Sequence, residues 1–293
     1  MFLVSAQALG DGALAGRALQ VTPSPACLCL TSPLLQHTLA RLLLALFLCR
    51  AACVSMTLRT VVISCDEARF RHTSAILARY GLGSTRRYQP PAYNSSEIRA
   101  RFAGLFPGRK PTALELKMLS LSTANADVAS LIAGSHRPGE KSWYLVFEDD
   151  ITVPHSWNVS SADMRQSIDK LLELAAEDGI AALGRCAPRC TEQIEENGVL
   201  FGRCTGYCTH AMAYAAEGAL FWRDAFLRAE GSTGSERSRF RHRAYSPDNV
   251  LQRATRKHGG VWTAGVNLRS GEGDAGVGLF VQHRSKFPTS IGV

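Results

Sequence analysis

Five consecutive apolar residues, Trp143–Phe147, are followed directly by three carboxylates, Glu148, Asp149 and Asp150. A strand whose side chains are all apolar has no face suited to solvent, so both of its faces must be covered. A parallel sheet with helices on both sides provides such cover. The run therefore predicts a central strand of an α/β fold, with the carboxylates at its carboxyl end.

Segments typical of strands and helices alternate on either side of this run. Apolar, β-branched residues predict a first strand at Thr60–Ser64, and apolar residues at helical spacing predict a helix from Thr112 to Gly134. Thr112 and Glu115 have the spacing of a capping box. This order predicts a mainly parallel sheet flanked by helices, with ligands bound at the carboxyl ends of its strands. Further helices are predicted at 96–103, 160–179, 218–229 and from Pro247, and further strands at 180–183 and 211–215.

Three adjacent carboxylates at the edge of a sheet repel one another unless a cation or hydrogen-bond donors offset their charge. Carboxylate oxygens are the ligands that Mg²⁺ and Mn²⁺ prefer. Such a metal ion can neutralise the charge that develops on a departing diphosphate. A solvent-exposed acidic loop is the alternative interpretation of the same residues.

Four of the nine cysteines form two pairs with three intervening residues, Cys186 with Cys190 and Cys204 with Cys208. In a secretory protein they would form disulfides, whereas in a cytosolic protein four thiolates would hold zinc. Zinc-binding pairs usually have two intervening residues, so the spacing favours disulfides. We expect the cysteines to cross-link the loop between the strands predicted on either side of them.

Residues 1–56 differ in composition from residues 57–293 and contain one acidic residue, Asp11. They include an apolar run, Leu42–Leu48, that is too short to predict a membrane span. A signal peptide or short signal anchor is the favoured interpretation. A disordered segment, or a translation start at Met56, is the alternative. The predicted organisation is thus an N-terminal targeting segment followed by one catalytic domain over residues 57–293.

Two N-glycosylation acceptor triplets, which begin at Asn94 and Asn158, agree with a secretory address. The predicted location is the lumen of the endoplasmic reticulum or Golgi, with an N-terminal membrane anchor as one form of attachment. The formal net charge of +8 suits an anionic partner. Because the sequence has neither a basic amphipathic helix nor the aromatic pattern of RNA-binding sheets, nucleic acid is the less favoured partner.

Several segments resemble glycosyltransferase family 25, which includes lipooligosaccharide and procollagen galactosyltransferases. In that family a helix precedes a strand ending in Glu-Asp-Asp, as in Thr112–Ile132 followed by Trp143–Ile151. Thr60–Arg71 is similar to the family's opening strand, and Cys208–Tyr214 to a later stretch around a Thr-His-Ala-Tyr motif. Asp248 falls where the family has an Asp after Pro or Ile.

The resemblance extends in patches from Arg59 to the C terminus. The chain departs from the bacterial members in its Cys186–Cys208 cluster. It departs from the animal collagen enzymes in having one domain of catalytic size where they have two. The sugar and the acceptor therefore stay open, with galactose as the hexose suggested by analogy.

The resemblance implies an A-type glycosyltransferase with a Rossmann-like fold. Its donor would be a nucleotide-diphosphate sugar such as a UDP-hexose, and its acceptor a glycan or glycoprotein. The acidic triplet would bind Mn²⁺ or Mg²⁺, with Asp150 as the principal ligand. Asp149 and Glu148 would contact the metal, the ribose or the donor sugar. His283 would be a further metal ligand, and a surface histidine is the alternative.

Asp248 is the candidate general base that takes a proton from the acceptor hydroxyl, and helix capping is the alternative. Arg69 and Arg71 could contact the base or the phosphates of the nucleotide, or simply begin an exposed helix. Arg284 could pair with the diphosphate. His210 is interpreted as a packed or hydrogen-bonded residue near the donor site.

A zinc-stabilised binding module is the competing hypothesis from another functional class. In that hypothesis the four cysteines hold zinc, and the basic stretch Arg237–Arg243 contacts nucleic acid or another anionic partner. The two hypotheses predict different metals, because one needs thiolate ligands and the other carboxylate ligands.

Overall fold

The computed structural model describes residues 56–135, 137, 141–155, 157–231, 246–256, 259–265 and 277–282, all of which belong to the compact unit Ser55–Val293. The targeting segment predicted before Met56 lies outside the described residues, as do Arg237–Arg243, His283 and Arg284. Among the described residues, no helix has both the length and the apolar character needed to cross a membrane.

Strands and helices are interspersed along this unit. In chain order the elements are β1 (Thr57–Ile63), α1 (Glu67–Arg79), β2 (Thr85–Tyr88), α2 (Ser96–Leu105), α3 (Ala113–Gly134), β3 (Ser142–Glu148), β4 (Ile151–Thr152), α4 (Ser161–Leu174), β5 (Ile180–Glu196), β6 (Val199–Tyr214), α5 (Ala216–Gly231), α6 (Pro247–Arg256), β7 (Val261–Gly265), β8 (Val277–Gly278) and β9 (Val281–Gln282).

Seven strands form a mixed sheet of order β2-β1-β3-β6-β7-β5-β8, and β4 pairs with β9 in a separate two-stranded sheet. β1 runs parallel to β2 and β3, and β5 runs parallel to β7. β6 runs antiparallel to β3, β5 and β7. The predicted α/β fold is confirmed. The predicted parallel arrangement holds for β2, β1 and β3, whereas β6 runs antiparallel to β3. The sheet is mixed because β5 and β6 form one long hairpin within it.

β3 is buried on both faces, as its apolar sequence predicts. Leu145 and Phe147 belong to a core that includes residues of α1 and α4. Tyr144 and Val146 belong to a second core that includes residues of α3, α5 and α6. Helices therefore cover both sides of the strand that carries the acidic triplet.

α3 begins with the predicted capping box. The Thr112 side chain accepts a hydrogen bond from the Glu115 backbone, and the Glu115 carboxylate accepts one from the Thr112 backbone at 2.9 Å. Arg109 donates a further hydrogen bond to Glu115. Burial alone would raise the pKa of Glu115, but the bonds from Thr112 and Arg109 outweigh it and lower the pKa.

The cysteines lie in a β-hairpin, so the prediction of a loop between two short strands is wrong. Its strands β5 and β6 have 17 and 16 residues and are joined at Asn197 and Gly198, both with positive φ. Such a two-residue Asn-Gly turn matches the twist of an antiparallel pair. All four cysteines are in disulfides, and the connectivity, which the sequence left open, joins Cys186 to Cys208 and Cys190 to Cys204 across the two strands.

Thr112→Ala is expected to lower the free energy of unfolding by about 1 kcal/mol, because it removes the N-cap acceptor of α3. Glu115→Gln is also expected to destabilise the protein. Because the pKa of Glu115 is lowered in the folded state, the stabilisation from its charge is present above pH 4.5 and is lost as the pH falls below that value. Urea denaturation at neutral and acidic pH measures both effects. If the difference in unfolding free energy between wild type and Glu115→Gln does not shrink at acidic pH, this account is contradicted.

Candidate functional site

A cleft of about 480 Å³ opens at the carboxyl ends of β1 and β3. Its volume lies within the range of small-molecule sites in proteins, about 300 to 1,000 Å³. The wall combines all three carboxylates of the triplet with one arginine, a lysine and an apolar side. It is lined by Ile63, Ser64, Cys65, Arg69, Pro90, Pro91, Ala92, Tyr93, Asn94, Lys117, Ser120, Leu121, Glu148, Asp149, Asp150 and Gln282.

Asp149 is held in place by side chains of β1's carboxyl end and α1. The register pairs Ile63 with Glu148, which brings the next residues, Ser64 and Asp149, side by side. The Ser64 hydroxyl donates to Asp149 Oδ2 at 2.6 Å, and Arg69 Nη2 lies 2.6 Å from Asp149 Oδ1. Burial raises the pKa of Asp149, and the Ser64 hydrogen bond and the Arg69 charge offset part of that rise. Both oxygens of this carboxylate therefore already have a donor.

Glu148 faces a different environment, in which carboxylates crowd together. Burial raises the pKa of Glu148 well above its ordinary value, and the charges of Asp150 and Asp248 raise it further. A hydrogen bond from Thr209 opposes the rise. The Thr209 hydroxyl lies 3.1 Å from Glu148 Oε1 and 3.3 Å from Asp248 Oδ1. This single side chain thus connects the triplet with the first turn of α6.

A bulge in the β5–β6 hairpin brings Thr209 to this position. Gly184 pairs with Ala211 and Cys186 pairs with Tyr207, so one residue of β5 faces three residues of β6, 208–210. Cys208 has φ of 67° there, a conformation that side chains other than glycine rarely adopt. Bulges commonly redirect side chains beside active sites.

Arg185, the β5 residue at the bulge, is fully buried. Its guanidinium donates to the carbonyl oxygens of Cys204 at 2.7 Å and Gly206 at 3.0 Å. Burial lowers the pKa of Arg185 to about 10, and the nearby Tyr214 and Asp248 oppose the shift. Because this value is far above neutral, the side chain is a buried cation that attracts the Asp248 carboxylate.

His210 is also fully buried and does not line the cleft. Its Nε2 lies 3.1 Å from the carbonyl oxygen of Phe280. A Cβ atom at Gly184 would lie 2.4 Å from that nitrogen and 2.0 Å from that oxygen, so only glycine fits where these groups meet. The contact agrees with the interpretation of His210 as a hydrogen-bonded residue behind the site.

The structure brings some of the predicted site residues together and separates others. The three residues of the triplet and Arg69 line the cleft, and Asp248 joins them through Thr209. Arg71 instead lies on the exposed side of α1, with its Nε 3.0 Å from Glu67. His283 and Arg284 lie outside the described residues, immediately after the cleft residue Gln282.

Three residues of the site are not identified by the sequence patterns considered above. Ser64 is the first polar residue after β1. The two strands end side by side, so aligning the carboxyl ends of β1 and β3 places Ser64 next to Asp149. Arg185 and the role of Thr209 depend on the bulge between distant strands, and no local pattern marks them.

Within the described part of the chain, one group of three potential ligands has its donor atoms within 4.8 Å of one another. It consists of Cys186, Cys208 and His210, two of which form a disulfide. The cleft carboxylates do not form such a group. A metal ion in the cleft would therefore need further oxygen ligands from a bound molecule or water.

Arg69→Gln is expected to lower the free energy of unfolding by about 2 to 4 kcal/mol, because it leaves the buried Asp149 without this cation. Arg71→Gln is the matched control and should cost less than about 0.5 kcal/mol, because its ion pair with Glu67 is exposed. Urea denaturation of the two variants measures the difference. If Arg69→Gln and Arg71→Gln lower the free energy of unfolding equally, the Arg69–Asp149 pair does not hold the triplet in place.

Neither a protein-family model nor a curated protein matches this chain.

Proposed function

We propose that this protein is a metal-dependent glycosyltransferase, which moves a hexose from a nucleotide-diphosphate sugar to a hydroxyl group of a glycan or protein. The observation that carries the proposal is the position of Glu148, Asp149 and Asp150 in the wall of a cleft large enough for a nucleotide. This cleft lies at the carboxyl ends of strands, where α/β folds bind their ligands. The resemblance to glycosyltransferase family 25 supports the same activity.

The cleft residues fit a divalent cation of the Mg²⁺ or Mn²⁺ class. They offer carboxylate oxygens. Burial, and next the charges of Asp150 and Asp248, raise the pKa of Glu148, and a cation would favour its charged form. Mg²⁺ is commonly held by one or two carboxylates, with phosphates and water completing its coordination. We assign this role to Asp150 and Glu148, whereas Asp149 fixes the triplet through its two existing bonds. When bound, such an ion supplies charge neutralisation to the departing diphosphate.

The remaining groups would position and deprotonate the acceptor. In the transfer step the acceptor oxygen bonds to the anomeric carbon, and the bond from that carbon to the diphosphate breaks. The leaving nucleoside diphosphate keeps the electron pair, and Asp248 takes the acceptor's proton as the general base. Thr209 lies within hydrogen-bond distance of Asp248 and of the triplet, and the Arg185 cation attracts the Asp248 carboxylate.

The Arg69 guanidinium lies in the same wall of the cleft. It would be the cationic group that contacts the phosphates of the donor. Its Nη2 bonds to Asp149, so the two charges offset each other and the guanidinium is held in place in the wall of the cleft. Tyr93 and Pro91 also line the cleft. A cleft lined by acidic, basic, aromatic and aliphatic groups suits a ligand that is both phosphorylated and cyclic.

The competing zinc module needs four thiolate ligands. In the structure all four cysteines are in disulfides, so the oxidised protein does not offer those ligands. The two disulfides indicate an oxidising environment. The lumen of the endoplasmic reticulum or Golgi is our proposal for that environment.

Full-length protein incubated with Mn²⁺ and a panel of nucleotide sugars should release nucleotide from at least one of them, and EDTA should abolish the release. Asp150→Asn should lower kcat/KM by at least about 100-fold, because it removes a ligand of the cation that would neutralise the leaving diphosphate. The matched control is Asp169→Asn on the exposed surface of α4, where Asp169 pairs with Arg165. It should change kcat/KM by less than about twofold.

Two results would contradict the proposal. One is folded protein that releases no nucleotide from any sugar in the panel, with or without an added glycan or protein acceptor. The other is an Asp150→Asn variant that is as active as Asp169→Asn.

A further inference from the structure

A hollow of about 170 Å³ lies between the start of α4 and the turn of the β5–β6 hairpin. Its wall includes Asn158, the acceptor residue of one of the two glycosylation triplets. The volume lies below the range of sites that hold free ligands, about 300 to 1,000 Å³. A small group that is attached to the chain beside the hollow therefore fits it better than a free ligand does.

Modification of Asn158 would break no hydrogen bond of the side chain. The residue is exposed and lies in the irregular segment between β4 and α4. Its amide makes no hydrogen bond to any other residue in the described part of the chain. Ser160, the hydroxyl residue of the triplet, caps α4 by accepting a hydrogen bond from the Asp163 backbone at 3.1 Å. A glycan on the Asn158 amide leaves this cap intact.

The lining of the hollow suits a sugar ring. Trp157 lines the hollow and packs against the core, and its aromatic side chain is an apolar surface suited to the C–H groups of a sugar. Carboxylate and amide groups, which can form hydrogen bonds with sugar hydroxyl and acetamide groups, line the same hollow: Asp163, Gln166, Glu196 and Asn197. An aromatic surface together with several polar groups is a combination that binds and orients a carbohydrate.

We propose that Asn158 carries an N-linked glycan whose first N-acetylglucosamine lies in this hollow. In the transfer, the Asn158 amide nitrogen bonds to the anomeric carbon of the sugar and loses one proton to a base of the transferring enzyme. The bond from that carbon to a lipid-linked diphosphate breaks, and the diphosphate keeps the electron pair. The two disulfides of the chain indicate the oxidising environment in which this transfer takes place. The secretory pathway's own enzyme carries it out, so it does not depend on the activity proposed for this protein.

Attachment allows weak contacts to hold the sugar in the hollow. A group on a short linker has an effective concentration in the millimolar range at a neighbouring site. A sugar that binds the folded chain and not the unfolded one stabilises the folded state. Residues of α4 and of the hairpin turn face each other across the hollow, where Lys170 Nζ lies 3.9 Å from Glu196 Oε2. The sugar should therefore stabilise the packing of the hairpin turn against α4.

The second triplet has a different setting. Asn94 lines the candidate cleft, where a glycan would occupy space next to the acidic triplet. None of the residues that line the hollow beside Asn158 lines that cleft. Asn94 is therefore a suitable comparison, because it has the same acceptor sequence type without the adjacent hollow.

The experiment uses the full-length chain, expressed in mammalian cells that make high-mannose glycans only. Mass spectrometry of its glycopeptides should find a glycan at Asn158, and Asn158→Gln should abolish it. Stability is then measured in the Asn94→Gln background, so that one triplet remains. Three forms are compared: untreated, trimmed by an endoglycosidase to one N-acetylglucosamine, and freed of sugar by an amidase that converts the Asn158 side chain to a carboxylate. Asn158→Asp controls for this new charge.

The trimmed form should melt within about 1 °C of the untreated form, because the first sugar makes the contacts. Removal of that sugar should lower the melting temperature by about 2 °C or more, to the value of Asn158→Asp. Trp157→Leu and Gln166→Ala should each reduce the difference between the trimmed and sugar-free forms by at least half. Asp169→Asn on the same helix is the matched control, because Asp169 does not line the hollow, and should leave the difference unchanged.

A chain without a glycan at Asn158 would overturn the proposal. Equal melting temperatures of the trimmed and sugar-free forms would also overturn it, as would a difference that neither Trp157→Leu nor Gln166→Ala reduces. If Trp157→Leu does not fold, Gln166→Ala on the exposed side of α4 decides. None of these measurements uses nucleotide-sugar turnover, so a failure here is distinct from a failure of the proposed glycosyltransferase activity.

Discussion

Burial of Glu148 near the charges of Asp150 and Asp248 is the constraint to which the rest of the site responds. Burial disfavours the charged form of Glu148, the two neighbouring carboxylates disfavour it further, and the raised pKa of Glu148 is the result. The protein supplies one bridging hydroxyl, from Thr209, and one buried cation, Arg185. We propose that this arrangement serves a ligand, namely a cation with a phosphorylated partner.

The disulfide-linked hairpin is part of the same site. The bulge that directs Thr209 towards the triplet includes Cys208 of the first disulfide, and Arg185 is the β5 residue opposite it. Gly184 lets His210 reach the Phe280 carbonyl at the base of the hairpin. The cysteines therefore do more than restrict the unfolded chain, because they support the backbone geometry on which the carboxylate arrangement depends.

Local patterns predicted much of the fold, and long-range pairing explains most of what they missed. The apolar β3 and the Thr112–Glu115 capping box have signatures within a few residues, and both are confirmed. In the outer part of the hairpin, residues 191–195 of β5 are exposed and mostly polar without alternation, and the Asn197-Gly198 turn is the local signal that identifies the hairpin. Arg69 and Arg71 are equivalent in the sequence. Their position around α1 distinguishes them, since Arg69 faces the cleft and Arg71 faces solvent.

The central claim is that the triplet serves to hold a cation beneath a diphosphate, and calorimetric titration of the full-length protein with uridine diphosphate tests it most directly. The account predicts binding in the presence of Mn²⁺ that weakens by at least about tenfold when the ion is chelated, because phosphate oxygens and carboxylates must share it. It also predicts weaker binding of the monophosphate under the same conditions. Equal affinity for the diphosphate with and without the ion, or no binding in either case, would contradict the account.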